Sequence, residues 1–200
     1  TNQEFRVEVW VEKDALTGVI ARPCRKLDVN FFACKGSPSQ SEMWRAGQRF
    51  LSYLESGQNP VVLYLGDHDP TGIHIAEDVQ KRIDLFTDGG VQVTRIALNM
   101  DQIKEYDPPP NFAKETDSRF KSYRDRFGTS DCWELDALPP EVIAEMIEKW
   151  VLTFRDDDLW KAVSLQEKTF RTRMKKWPEL EPKVERLKNR LKAVFNTSLV

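Results

Sequence analysis

Two aspartates and a histidine stand directly behind an apolar run in Val61–Val79, VVLYLGDHDPTGIHIAEDV. The run ends at Gly66, and Asp67, His68 and Asp69 follow. A third carboxylate, Glu12, closes another apolar-rich stretch, FRVEVWVE, 55 positions before Asp67. Side chains at i and i+2 share one face of an extended chain, so Asp67 and Asp69 can reach one point just beyond a strand. Carboxylates held that close repel and resist ionising, and a divalent cation removes the conflict. An oxygen donor set without Cys or clustered His suits Mg²⁺ or Mn²⁺ and not zinc. Pro70 stiffens the exit from the turn, and the free N–H groups of a helix starting at Thr71 or Gly72 offer a resting place for a phosphate. A plainer reading makes Asp67 a helix cap and Asp69 a turn former; the matching Glu12 weighs against it. His68 lies between two presumed ligands and is expected to face away from them, in a supporting or solvent-facing role.

Alternating strands and helices are what must position these residues. Phe5–Val11 alternates apolar and polar, as a strand does, and Asp14–Ala21 follows as a short helix. Val29–Cys34 is a second apolar run, closed by the turn KGSPSQS. Ser41–Glu55 is an amphipathic helix whose Met43, Trp44, Gly47, Phe50, Leu51 and Leu54 stripe is core packing. The near-continuous apolar run Pro60–Leu65 predicts a strand buried on both faces. Thr71–Phe86 is the next helix, ended by Asp88–Gly90, and Val91–Leu98 is a fourth strand. Such alternation predicts an α/β fold, a Rossmann-like parallel four-stranded sheet flanked by helices and joined by right-handed crossovers. Ligands of these sheets sit outside the carboxyl ends of the strands. If the first and third strands are neighbours, Glu12, Asp67 and Asp69 therefore meet.

After Leu98 the texture changes. YDPPPNFAKETDSRF is Pro-rich and polar and predicts a surface loop. Tyr106 and Tyr123 fall in this region and nothing marks either as a nucleophile; Tyr53 and Tyr64 read as core. CWELDALPPEVIAEMIEKWV holds a short strand or turn, then a helix from Pro139–Pro140. From Leu159 two amphipathic helices follow, the first with Leu159, Val163, Phe170, Met174 and Trp177, the second with Leu180, Val184, Leu187 and Leu191. The chain thus divides into a metal-binding domain over residues 1–150 and a basic helical extension over 151–200.

Charge supports that division. The net charge is −2, but residues 159–200 carry eleven Lys and Arg against four Asp and Glu, so an acidic body precedes a basic tail. Arg171, Arg173, Lys175 and Lys176 could neutralise phosphates of DNA or RNA, while a solvated helix face packed on the domain or a second copy explains the same residues. With 40 % hydrophobic residues the chain can build a sizeable core. No window approaches about 18 consecutive apolar residues, so no membrane span is expected. The N-terminus has no signal-peptide pattern and lacks an initiating Met, as a trimmed or excised segment would. Cys24, Cys34 and Cys132 form no CxxC pair, which argues against disulfides and zinc and for a cytoplasmic setting, with nucleoid association as the alternative.

The ordered set of motifs resembles the Toprim domain of topoisomerases, bacterial primases and several nucleases. It is most similar to the Toprim part of type IIB topoisomerase A subunits and their relatives that break DNA in meiosis. The motifs are VEVWVEKDA with Glu12 and Lys13, CKGSPS with Lys35 and Gly36, LYLGDHDPTG with Asp67 and Asp69, and WELDAL with Glu134 and Asp136. The resemblance spans roughly Phe5 to Trp150. It implies that Glu12, Asp67 and Asp69 hold Mg²⁺ and that Glu12 acts as general acid or base in phosphodiester cleavage or rejoining. Paired metals stabilise both oxygens of an in-line displacement. Glu134 and Asp136 are expected to support the site; a strand-end polar residue and a helix cap are their plain roles. Lys13 and Lys35 read either as phosphate contacts or as solvated lysines. In the topoisomerase relatives the cutting tyrosine lies on a winged-helix domain ahead of the Toprim part. Only four residues precede the first strand here, so a second chain, a homodimer partner or a missing segment would have to supply it. Simple hydrolysis by metal-activated water fits what is present. The rival readings are a Toprim module that binds nucleic acid or a partner without catalysis, and a haloacid-dehalogenase-type phosphatase, because Asp67, Asp69 and Thr71 fit D-x-D-x-T. In that scheme the nucleophilic Asp ends the first strand of the core, a place that Glu12 holds here.

Overall fold

A computed structural model describes residues 3–113 and 116–197, with side chains to residue 191. Four strands, β1 (Phe5–Val11), β2 (Asn30–Ala33), β3 (Asn59–Leu65) and β4 (Gln92–Ala97), form one parallel sheet in the order β2-β1-β3-β4. This is the expected α/β, Rossmann-like arrangement, and β1 and β3 are neighbours, paired from Phe5 opposite Asn59 to Val11 opposite Leu65. Parallel pairing requires a crossover between strands, and the helices α1 (Thr17–Leu27), α2 (Gln40–Glu55) and α3 (Pro70–Thr87) supply them.

Alternation along the strands divides the core into two layers. Val7, Val9 and Val11 of β1 and Val61, Leu63 and Leu65 of β3 face Ile20, Cys24 and Leu27 of α1, with Ile143, Ile147 and Val151 of α6 (Pro140–Thr153) in the same cluster. On the other side Trp10, Val62 and Tyr64 pack with Met43 and Phe50 of α2 and Val79 and Ile83 of α3. Glu8 and Glu12 belong to this second face by parity. Burial of roughly 1.5–3 kcal/mol for each large apolar side chain makes slippage of β1 by one residue costly, because it would exchange the two faces.

The helices differ from the pattern in informative ways. A 3₁₀ turn, Asp14–Leu16, precedes α1, and α1 runs on to Leu27 through Pro23, where Ala21 was the expected end. Its apolar stripe simply continues, and Ile20, Cys24 and Leu27 are all buried. The stretch expected to be a surface loop, residues 106–120, runs from the end of α4 (Met100–Tyr106) to the start of α5 (Phe120–Phe127) and contains β5 (Asn111–Phe112), paired antiparallel to β6 (Asp131–Cys132). Tyr123 is therefore a buried helical residue and Tyr106 ends a helix.

Residues Gln3–Asp156 make one compact unit, and Asp157 onward belongs to another. The second contains α7 (Asp157–Lys175) and α8 (Trp177–Thr197), the two helices expected there. Among the described residues no helix is long and apolar enough to cross a membrane.

Candidate functional site

The register of β1 on β3 brings Glu12 and Asp67 together. Glu12 N donates to Leu65 O at 2.9 Å, which carries the ladder one residue past the strands. The chain then turns, and Asp67 N donates back to Glu12 Oε2 at 3.1 Å. Both carboxylates are buried, at 8 % and 7 % exposure. Two glycines make this possible. A Cβ at position 66 would lie 2.6 Å from Glu12 Oε2, and one at position 72 would lie 2.9 Å from the same oxygen. Neither position tolerates a side chain while Glu12 stays where it is.

Asp69 has a different task. It is the N-cap of α3, and its Oδ1 accepts from Gly72 N at 2.6 Å. The plain reading named the wrong aspartate as the cap. Extended backbone at Asp69 and Pro70 at the first helical position favour that start. Asp67 instead accepts from Leu135 N through Oδ1 at 2.8 Å, while its Oδ2 lies 3.1 Å from Lys13 Nζ. Among the described residues Glu12 Oε1 and Asp69 Oδ2 accept no hydrogen bond.

Lys13 is the unexpected centre of the cluster. Its ammonium reaches Asp67, Glu134 at 3.2 Å and Asp136 at 3.1 Å. Glu134 and Asp136 thus come to the site as expected, and Asp136 lies in a 3₁₀ turn (Leu135–Ala137) instead of capping α6, whose N-cap is Pro139. Lys35 stays at the surface, 3.8 Å from Asp14. Arg171, on α7, pairs with Glu167 at 2.7 Å, and Arg173, Lys175 and Lys176 are exposed on the same helix and the turn after it.

Electrostatics separates the acids. Burial raises Glu12 from 4.5 to about 7, and the charge of Asp67 adds to the rise. Asp67 is also raised, by burial first, against the lowering effect of the Leu135 N–H and Lys13. Partial burial opposes the charge on Lys13, but its hydrogen bonds to Asp67 and Asp136 outweigh that and hold the ammonium above its ordinary range. A buried, incompletely compensated carboxylate pair that offers only oxygen donors is a donor set that fits a hard divalent ion. Among the described residues, however, no group of three or more His, Cys, Asp or Glu side chains is already arranged to hold a metal. The reason is local: Asp69 turns one oxygen to the helix, and Lys13 supplies the cation that Asp67 faces.

Several residues that complete the site carry no motif. Arg95, on β4, donates through Nη2 to Gly66 O at 2.9 Å, Asp67 O at 2.5 Å and Leu98 O at 3.2 Å, and through Nη1 to Gly72 O at 3.2 Å. One guanidinium therefore ties the turn that carries Asp67 and Asp69 to the end of β4. A charged residue inside the apolar run VQVTRIAL was the available signal. Tyr64 stands beneath Glu12, with its hydroxyl buried and, like Arg95 Nε, without a partner among the described residues. His68 is neither solvent-facing nor a ligand. It is 1 % exposed, bridges Trp133 through the backbone in both directions, and sets Nδ1 2.7 Å from the Tyr123 hydroxyl. The Tyr123 hydroxyl also lies within hydrogen-bond reach of Asp131 O at 2.8 Å and His68 O at 3.1 Å. Burial, then Arg95, lowers His68 to about 4, so the ring is neutral and structural. It pins the loop that follows Asp67 to the segment that carries Leu135.

Against family models, curated proteins and solved structures, the chain matches none.

Proposed function

We propose that the Gln3–Asp156 unit is a Toprim-like enzyme of nucleic-acid phosphodiester chemistry, a nuclease or a topoisomerase-like cleaving subunit, dependent on Mg²⁺ or Mn²⁺. The observation that carries this reading is the meeting of Glu12 and Asp67, buried at the ends of adjacent strands. Burial of two acids without full counter-charge is costly, and a fold retains such a pair where a ligand repays it. Glu12, Asp67 and Asp69 would hold the ion, using Glu12 Oε1 and Asp69 Oδ2 among their oxygens. The bound ion would supply charge stabilisation to the attacking and leaving oxygens of the phosphodiester. Glu12, half-ionised near neutral pH, suits proton transfer in the same step. The backbone N–H groups that open α3 lie beside these acids and suit a phosphate. Lys13, once Asp67 turns to the ion, is free to meet the substrate's phosphate.

Tyr64 and Tyr123 are buried and Tyr123 is fully engaged, which supports hydrolysis by water or attack by a tyrosine from another chain. Supercoiled, linear and single-stranded DNA, and RNA, incubated with Mg²⁺ or Mn²⁺ test the proposal. Cleavage is expected to fall at least about 10²-fold in Asp67→Ala, the scale of losing one preorganised electrostatic group. Unchanged cleavage in that variant sinks the reading, and protein covalently attached to the cut end would mark the tyrosine route.

The Lys13 ammonium, sitting among three carboxylates, favours a second reading: a module that uses Lys13 as a permanent counter-ion and binds nucleic acid or a partner without catalysis. Saturable Mn²⁺ binding that Asp67→Ala abolishes decides for the enzyme.

A further inference from the structure

Among the described residues, the helical unit from Asp157 exposes most of its large apolar side chains, and Val163 and Val184 are half-buried. None of the 19 residues of α7 is buried. On α8, Trp177, Leu180, Leu187 and Leu191 are 49, 44, 58 and 57 % exposed. Helices of this length draw most of their stability from packing an apolar face, and contiguous exposed apolar surface marks an interaction site. α7 passes into α8 through a single turn, with Lys176 N donating to Arg173 O and Glu179 N to Lys176 O.

The α8 stripe has a specific period. Trp177, Leu180, Val184, Leu187 and Leu191 are separated by three, four, three and four residues. That is a two-in-seven seam, narrower than the face that packs on a globular core, and it is the seam one helix presents to another. With Trp177, Val184 and Leu191 as a positions and Leu180 and Leu187 as d positions, the flanking e and g positions are Lys176, Glu181, Lys183, Lys188 and Arg190. Four of these five are cationic. The two prolines, Pro178 and Pro182, fall at b and f, away from the seam.

The flanks choose the occupant. In parallel pairing with a second copy, Lys183 at g would face Lys188 at e while Lys176 faces Glu181; antiparallel pairing sets Lys183 against Arg190 and Glu181 against Lys188, so attraction and repulsion offset. Self-pairing gains nothing net from the flanks, whereas a helix flanked by Asp and Glu meets a cation at four of the five positions. Duplex nucleic acid satisfies the cations, but its phosphates offer nothing to cover a row of large apolar side chains. We infer that the seam from Trp177 to Leu191 is a docking surface for one helix of a partner protein, apolar at 3.5-residue spacing and flanked by Asp and Glu. This surface is independent of the strand-tip acids and stands whether or not they bind metal.

The test uses the full chain and a synthetic three-heptad peptide with Leu at a and d and Glu at e and g, against the same peptide with Lys at e and g, and against duplex DNA. Calorimetry and sedimentation equilibrium are expected to give a one-to-one complex with the Glu-flanked peptide, at least about tenfold tighter than with the Lys-flanked one and weakening as salt rises. Leu187→Asp is expected to abolish that complex with the circular dichroism of the body unchanged. Lys183→Glu combined with Lys188→Glu, both at exposed positions, is expected to exchange the preference between the two peptides. Equal binding of both peptides, or no exchange in the charge-reversed variant, overturns the proposal. So does a dimer of the chain itself, or a complex with duplex DNA, that disappears in Leu187→Asp.

Discussion

Glu8, on β1, and Glu12, one residue past its end, lie four residues apart on the same face, and both are buried, at 1 % and 8 % exposure. Their surroundings are opposite. Glu8 takes a two-pronged contact from Arg49, Nε to Oε1 at 2.7 Å and Nη2 to Oε2 at 2.8 Å, and a third bond from Trp10 Nε1 at 3.1 Å. Glu12 has one backbone N–H and faces other acids. A paired buried charge serves the scaffold, whereas a buried charge left short of partners is a cost that needs another explanation. The contrast, not burial alone, singles out the end of β1 as the place where a cation would act.

That contrast can be broken by removing the partner that Glu8 has. Arg49→Ala leaves a buried carboxylate with a single indole donor, and unfolding by urea is expected to show a loss of about 3–5 kcal/mol. Replacing both partners, Glu8→Leu with Arg49→Met, is expected to recover most of it. Full stability in Arg49→Ala would mean that the pair is idle.

The next effect belongs to Glu12 and to pH. Its folded pKa, about 7, lies above the ordinary 4.5, so the folded state holds the proton more tightly. Stability is therefore fully present below pH 4.5 and falls as pH rises towards 7, by about 3 kcal/mol in metal-free buffer. Asp67, also raised, adds in the same direction. Glu12→Gln is expected to flatten this slope, measured by thermal unfolding across the window.

Slightly smaller is the effect of supplying the missing charge. Mg²⁺ at a hundredfold excess over its Kd is expected to stabilise the chain by about 2.7 kcal/mol, and to do nothing for Asp67→Ala. The smallest marks the boundary of the site. Lys35→Ala removes an exposed pair at 3.8 Å and is expected to shift stability by less than about 1 kcal/mol.

The sheet was legible because each strand declares itself locally: alternation in Phe5–Val11 and a solid apolar run in Pro60–Leu65 each need only a few residues. The meeting of Glu12 and Asp67 followed from adjacency of strands. What stayed hidden depends on pairings across the chain. Lys13 meets Glu134 and Asp136 from 121 and 123 positions away, and no local pattern announces such a bond. Glu8 passed for the polar side of an alternating strand, because its Arg49 partner sits on another element. α5 was lost among neighbouring prolines and charges, with only Phe120, Tyr123 and Phe127 to mark its buried side. The alternative that made Asp67 the cap missed Asp69 because capping depends on where a helix starts, the least certain property of any sequence pattern.

Arg95 touches no carboxylate, yet it clasps the carbonyls of Gly66, Asp67, Gly72 and Leu98 in one hand. The turn that carries Asp67 and Asp69 is consequently held by its main chain, independently of where the two carboxylates point. A substrate or ion arriving at this corner would meet a gauge already cut to size, and sequence drift among the surrounding side chains would leave that gauge untouched so long as the guanidinium remains.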